Sequence, residues 1–124
     1  MTTTLPRQIA TTLRTSPDVL IACHVAPDGD CIGASLALAL AASRLGVRAV
    51  VGSADAVPEA FLDLPGADRI ISTPPAEPFA TAVAMECSTV ERAGAFADAL
   101  RRAGTLINID HHLSNSEYGH LVYW

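Results

Sequence analysis

Val19-Leu20-Ile21-Ala22-Cys23-His24-Val25-Ala26-Pro27-Asp28-Gly29-Asp30 is the stretch on which the fold turns. Residues 19–23 form a continuous apolar run of strand length, as in a strand buried on both faces of a sheet. Residues 24–30 then hold one imidazole and two carboxylates around a Pro-Asp-Gly turn. Residues 32–45 are rich in Ala and Leu and stop at Gly46, the pattern of a helix with a glycine cap. Strand, polar loop and helix in that order open a parallel α/β sheet.

The same alternation continues along the chain. Residues 47–51, 69–72, Thr81–Met85 and Thr105–Ile109 read as strands, the last of these closing the sheet. Residues 6–14, 58–64 (opened by Pro58) and 91–102 read as helices, the Pro-rich residues 73–78 as a surface connection, and residues 1–4 as a frayed end. There is no internal repeat. The expected architecture is a single α/β domain, a parallel β-sheet flanked by helices in three layers, α/β/α.

Open parallel sheets bind ligands beyond the carboxyl ends of their strands. Three segments deliver polar groups there: His24, Asp28 and Asp30; then Glu86 directly after Met85; then Asp110, His111 and His112 after the apolar run Thr105–Ile109. Convergence of these strand ends on one crevice makes a single site. Carboxylates and imidazoles without paired thiolates suit Mn²⁺, Mg²⁺ or a similar divalent ion. Asp28 and Asp30 repel unless a cation lies between them, and Gly29 is free to take a positive φ and aim both at one cavity. The plainer reading of this loop is an ordinary turn with Asp30 capping the next helix. An adjacent His111-His112 pair points its rings apart, so one binds a given ion and the other orients or contacts substrate.

Composition narrows the alternatives. A formal charge of −5, with all eight basic residues arginine, argues against a long sequence-blind grip on duplex nucleic acid. A small phosphorylated substrate whose charge is met by metal ions stays open. Cys23, Cys31 and Cys87 have no CxxC spacing, which makes a zinc site a minor reading. An odd number of cysteines without a leader peptide fits reduced thiols and a cytoplasmic location. No apolar run has the roughly twenty residues of a membrane helix.

HVAPDGD (24–30) with Ile32-Gly33-Ala34, VAMECS (83–88) with Glu91-Arg92 and Gly94, and NIDHH (108–112) with Asn115 and Tyr118-Gly119 resemble the three motifs of the DHH phosphoesterases, over residues 18 to 120. Within that family the likeness is to the nanoRNase/pAp-phosphatase branch, which includes dinucleotide and cyclic-dinucleotide phosphodiesterases. The resemblance implies two Mn²⁺ ions, with Mg²⁺ or Co²⁺ as substitutes. His24, Asp28 and Glu86 would hold one, Asp30 and His111 the other, with Glu86 shared. Asp110 would orient a neighbour, His112 would sit near the scissile phosphate, and Arg92 is a candidate substrate contact. The implied reaction is hydrolysis of pAp, short single-stranded oligonucleotides or dinucleotides to 5′-mononucleotides by a metal-activated water. The family usually has Asp where this chain has Glu86, and adds a fourth acid and a substrate-gripping C-terminal domain after the DHH triplet. Residues 1–124 therefore read as the N-terminal portion of a DHH domain. The alternative is a truncated, non-catalytic metal- or nucleotide-binding module, and a homodimer is the expected association.

Overall fold

The computed structural model describes residues 2–124. Of the expected frayed end, Met1 lies outside the described residues, and Thr2 to Thr4 precede the first helix. Helix α1 (Leu5–Thr15) starts with Pro6 in its first turn, where no backbone N–H is required, and buries Ile9 and Leu13, one turn apart on one face. Strand β1 (Asp18–Ala22) leads through residues 23–28 into α2 (Gly29–Arg44), which ends at Gly46 with φ 81°. Strands β2 (Arg48–Gly52), β3 (Thr81–Met85), β4 (Thr105–Ile109) and β5 (Leu121–Tyr123) complete a five-stranded sheet in the order β2-β1-β3-β4-β5. All its pairings are parallel.

Period-two alternation sends successive side chains to opposite faces of the sheet. Val19, Ile21, Val83, Met85 and Ile107 pack against α1 and α2 on one side. Leu20, Ala22, Ala82, Ala84 and Leu106 pack against Phe96 and Leu100 on the other, where α3 (Ala97–Arg102) lies. These are the three layers expected. The small residues on the second face leave room for Phe96, whose ring lies against Gly52 so closely that a Cβ there would meet it at 2.3 Å.

Four local expectations need correction. Residues 105–109 are not the last strand, because β5 pairs with β4 after a long polar loop. Its three residues are too short to stand out as a strand in the sequence. Residues 69–72 form no strand: Ala67–Arg69 is a 3-10 turn, and only Ile71 bridges to Gly52. The helix expected at 58–64 shrinks to a 3-10 turn at Glu59–Phe61. The helix expected at 91–102 is α-helical only from Ala97, since residues Val90–Phe96 form 3-10 structure broken at Gly94 (φ 60°, ψ −127°). Gly94 is required there because a Cβ would lie 2.8 Å from Val25 and 3.2 Å from Ala54.

Candidate functional site

The loop after β1 carries His24, which is buried. Its Nδ1 is 2.7 Å from the Val25 carbonyl oxygen. A carbonyl only accepts, so Nδ1 carries the proton, and in the neutral ring Nε2 holds the lone pair. That lone pair is on the nitrogen facing Asp28, whose Oδ1 is 3.7 Å away. The loop is pinned by two further bonds: Val25 N–H donates to the Arg92 carbonyl and Ala26 N–H to Asp55 Oδ2, each at 2.7 Å. Asp28, not Asp30, caps α2, accepting from Cys31 N–H at 2.9 Å. That hydrogen bond holds the Asp28 carboxyl below its usual value. Gly29 is helical, not at positive φ, and a Cβ there would meet the tip of the Phe61 ring at 2.9 Å.

Glu86 follows β3 at the centre of the site. It is 7 % exposed and has φ 56°. One carboxylate oxygen, Oε1, lies 2.6 Å from His111 Nε2, while the other, Oε2, is buried without a hydrogen-bond partner. Burial pushes the Glu86 carboxyl above its usual value, against the pull of His111, and Asp30 adds repulsion. The hydrogen bond to Glu86 in turn pushes His111 up. Asp30, in the first turn of α2, approaches His111 Nε2 to 3.5 Å. Asp30, Glu86 and His111 each offer a ligand atom, all within 4.8 Å of one another. His111 Nε2 thus lies between two carboxylates, 2.6 Å from Glu86 and 3.5 Å from Asp30.

Asp110 is buried beyond β4. Burial alone would push its carboxyl up. Hydrogen bonds from Asn115 Nδ2 (2.8 Å) and His112 Nδ1 (2.6 Å) outweigh that and hold it below its usual value. Asn115 is itself paired with the fully buried Asn108 through two amide hydrogen bonds of 3.2 Å. The His111 and His112 rings do not diverge as expected: their centroids are 4.7 Å apart at a 35° tilt. Their nitrogens nonetheless face different partners, Glu86 with Asp30 for one and Asp110 for the other.

Two clefts flank Glu86. One, of about 440 Å³, is lined by His24, Asp28, Glu86, Arg92 and His112 together with Ser88 and Ser114. The other, of about 390 Å³, is lined by Asp30, Glu86, Asp110 and His111 over an apolar floor that includes Met85 and Ile109. All eight candidate residues named from the sequence therefore line one cleft or the other, and Glu86 lines both. A cavity of similar size between α2 and β2 has no His, Cys or carboxylate in its lining. Among the described residues, the non-glycine positive-φ positions are Ala26, Glu86 and Glu117, one in each loop that builds the site. Such conformations cost of order 1–3 kcal/mol each and persist where surroundings impose them.

The residues present fit a divalent cation: mixed carboxylate and imidazole donors, and a buried carboxylate oxygen without a partner. The thiols do not take part. Cys31 and Cys87 donate to the Met85 carbonyl at 3.4 and 3.5 Å, and burial pushes Cys87 up to about 12, so it stays a thiol. No cysteine belongs to the metal-competent group found among the described residues. Asp55, Ser114 and the pairing of Asn108 with Asn115 escaped sequence reasoning. Asp55 stands in an unremarkable Ala-Asp-Ala segment with no local signal.

Residues 18–123 match the family described as DHH family, N-terminal domain. The chain is 39% identical over 105 residues to the bifunctional oligoribonuclease and PAP phosphatase NrnA of Thermus thermophilus, covering 83% of this chain and 30% of that protein. Its fold resembles the crystal structure of an exopolyphosphatase-related protein from Bacteroides fragilis (TM-score 0.83, 21% identity), over 95% of this chain and 37% of that one. The chain thus spans about a third of the length of these relatives. With the motif residues gathered at the ends of β1, β3 and β4 and the family's N-terminal domain matched across nearly all of its length, this chain belongs to the DHH family.

Proposed function

We propose that this chain is the metal-binding N-terminal portion of a phosphoesterase that hydrolyses pAp or short oligonucleotides to 5′-mononucleotides, with Mn²⁺ as its metal. The observation that carries this reading is Glu86: a buried carboxylate, held at positive φ, with one oxygen unpartnered and a cleft on either side. In this reading His24, Asp28 and Glu86 hold one ion and Asp30, His111 and Glu86 the other. Metal bound there would supply positive charge to phosphoryl oxygens and make a water a better nucleophile. Mg²⁺ and Co²⁺ suit the same donors.

The chain's own groups bind and orient. His24 offers Nε2 because Nδ1 is committed to the Val25 carbonyl. Asp28 keeps one oxygen free of its capping bond. Asp110 accepts from His112 Nδ1–H, which leaves the Nε2 lone pair of the neutral ring to accept from a water or a substrate hydroxyl in the cleft. Arg92 lines the same cleft and suits a phosphate, with Ser88 and Ser114 as hydroxyl donors beside it. The likeness to the oligoribonuclease and PAP phosphatase supports the substrate class. Three buried free thiols suit the reducing cytoplasm.

The test is Mn²⁺-dependent release of AMP from pApA by residues 1–124, beside Mn²⁺ binding followed by electron paramagnetic resonance, with Asp28→Ala as control. Release abolished by the substitution supports the enzyme reading. Mn²⁺ binding that Asp28→Ala weakens, without release, favours a metal-binding module that needs the remainder of a longer enzyme. A wild-type chain that binds no Mn²⁺ overturns the site assignment.

A further inference from the structure

The Val25–Ala26 peptide unit is bonded at both ends. Its carbonyl accepts the His24 Nδ1–H at 2.7 Å, and its N–H donates to Asp55 Oδ2 at 2.7 Å. Ala26 adopts φ 49°, a conformation that costs a residue with a side chain of order 1–2 kcal/mol, so something must hold the peptide in that orientation. The Val25 N–H bond to Arg92 fixes the preceding peptide unit, not this one. Asp55 is itself anchored: it lies three residues beyond Gly52, and its carbonyl accepts from the buried Ser53 hydroxyl at 2.7 Å.

We propose that Asp55 is a positioning residue that holds His24 in the Nδ1–H tautomer through the Val25–Ala26 peptide, so that the Nε2 lone pair faces the cleft. Histidines that bind metals commonly donate their other ring N–H to a carboxylate, which sets tautomer and ring orientation. Here a peptide group is inserted between the two. The carboxylate orients the N–H, and the same rigid plane orients the carbonyl that takes the imidazole proton. A charge-assisted bond from the N–H also polarises the peptide and strengthens its carbonyl as an acceptor. The assignment of tautomer and peptide orientation stands on the geometry of the metal-free chain. The consequence for Mn²⁺ affinity rests on the function proposed above.

Two variants test it, Asp55→Ala and Asp55→Asn; Asp55 is exposed, so both are expected to fold. The first readout is the ¹⁵N shifts of the His24 ring in metal-free protein, and the second is the Mn²⁺ dissociation constant. The relay predicts a single Nδ1–H tautomer in the wild type and a tautomer mixture in Asp55→Ala. Mn²⁺ binding in Asp55→Ala should weaken about tenfold, as is usual when such outer partners are lost. Asp55→Asn keeps an oxygen that can accept the Ala26 N–H and should restore the wild-type tautomer. An Asp55→Ala protein with the wild-type ring shifts overturns the relay, as does an Asn variant indistinguishable from the Ala variant. If the tautomer changes but the wild type binds no Mn²⁺, the relay stands and the metal reading falls.

Discussion

Replacing Glu86 with Gln should make the metal-free protein more stable while abolishing its response to Mn²⁺. Glu86 has one buried oxygen without a partner, and its carboxyl is pushed up by burial and by the neighbouring Asp30. An unsatisfied buried polar group costs about 1–3 kcal/mol, and more when charged. Glu86→Gln keeps the shape and the oxygen that accepts from His111, removes the charge, and supplies an N–H₂ that can donate toward Asp30. Taking about 1 kcal/mol as the gain, a domain of this size should melt roughly 4 °C higher. Wild-type protein, by contrast, gains about 2.7 kcal/mol from a ligand at a hundred times its dissociation constant, and the variant should gain almost none. The assay is thermal unfolding at neutral pH in chelator and in Mn²⁺, followed by circular dichroism. A Gln variant that melts below the wild type in chelator refutes the idea that Glu86 is a strained, metal-awaiting carboxylate. A variant still stabilised by Mn²⁺ as strongly as the wild type refutes its place as a ligand.

Gly52→Ala would drive a methyl into the fully buried Phe96 ring at 2.3 Å, and should cost about 1–3 kcal/mol in urea unfolding, as overpacking does. Asn115→Ala removes a hydrogen-bond donor from the buried Asp110 and breaks the pairing with Asn108. It should destabilise by about 1–3 kcal/mol in the same assay, and a loss below a few tenths would show that water replaces the amide at no cost. Because Glu86 holds its proton more tightly when folded, this carboxyl binds more proton in the folded metal-free chain than in the unfolded one just above the ordinary glutamate range. This carboxyl's contribution to stability therefore falls as pH rises through that window, and Mn²⁺ should stabilise more at pH 8 than at pH 5.5. Equal Mn²⁺-induced shifts in melting temperature at the two pH values would contradict that sign.

Much of this molecule is local and was legible as such. The apolar runs at β1, β3 and β4 are strands because each is buried on both faces, and a run of mostly apolar residues records that burial directly. Helix α2 shows its stop at Gly46. That the candidate carboxylates and histidines would gather in one region could be expected, because side chains placed just after a buried parallel strand have few places to point other than the crevice at the strand ends. Arg92, within the 3-10 segment, had only its motif to suggest it. Contacts made by pairing elements distant in the chain were not readable. β5 is three residues long and exists because β4 offers it an edge. The kink at Gly94 exists because the loop after β1 passes beside it. Asp55 carries no motif, and only the parallel register that sets Ala22 opposite Gly52 brings it beneath Ala26. Residue types and their spacing, then, specified β1 to β4, α2 and the candidate donors. Tertiary pairing decided their protonation, strain and orientation, because those depend on which distant backbone and carboxylate each donor meets.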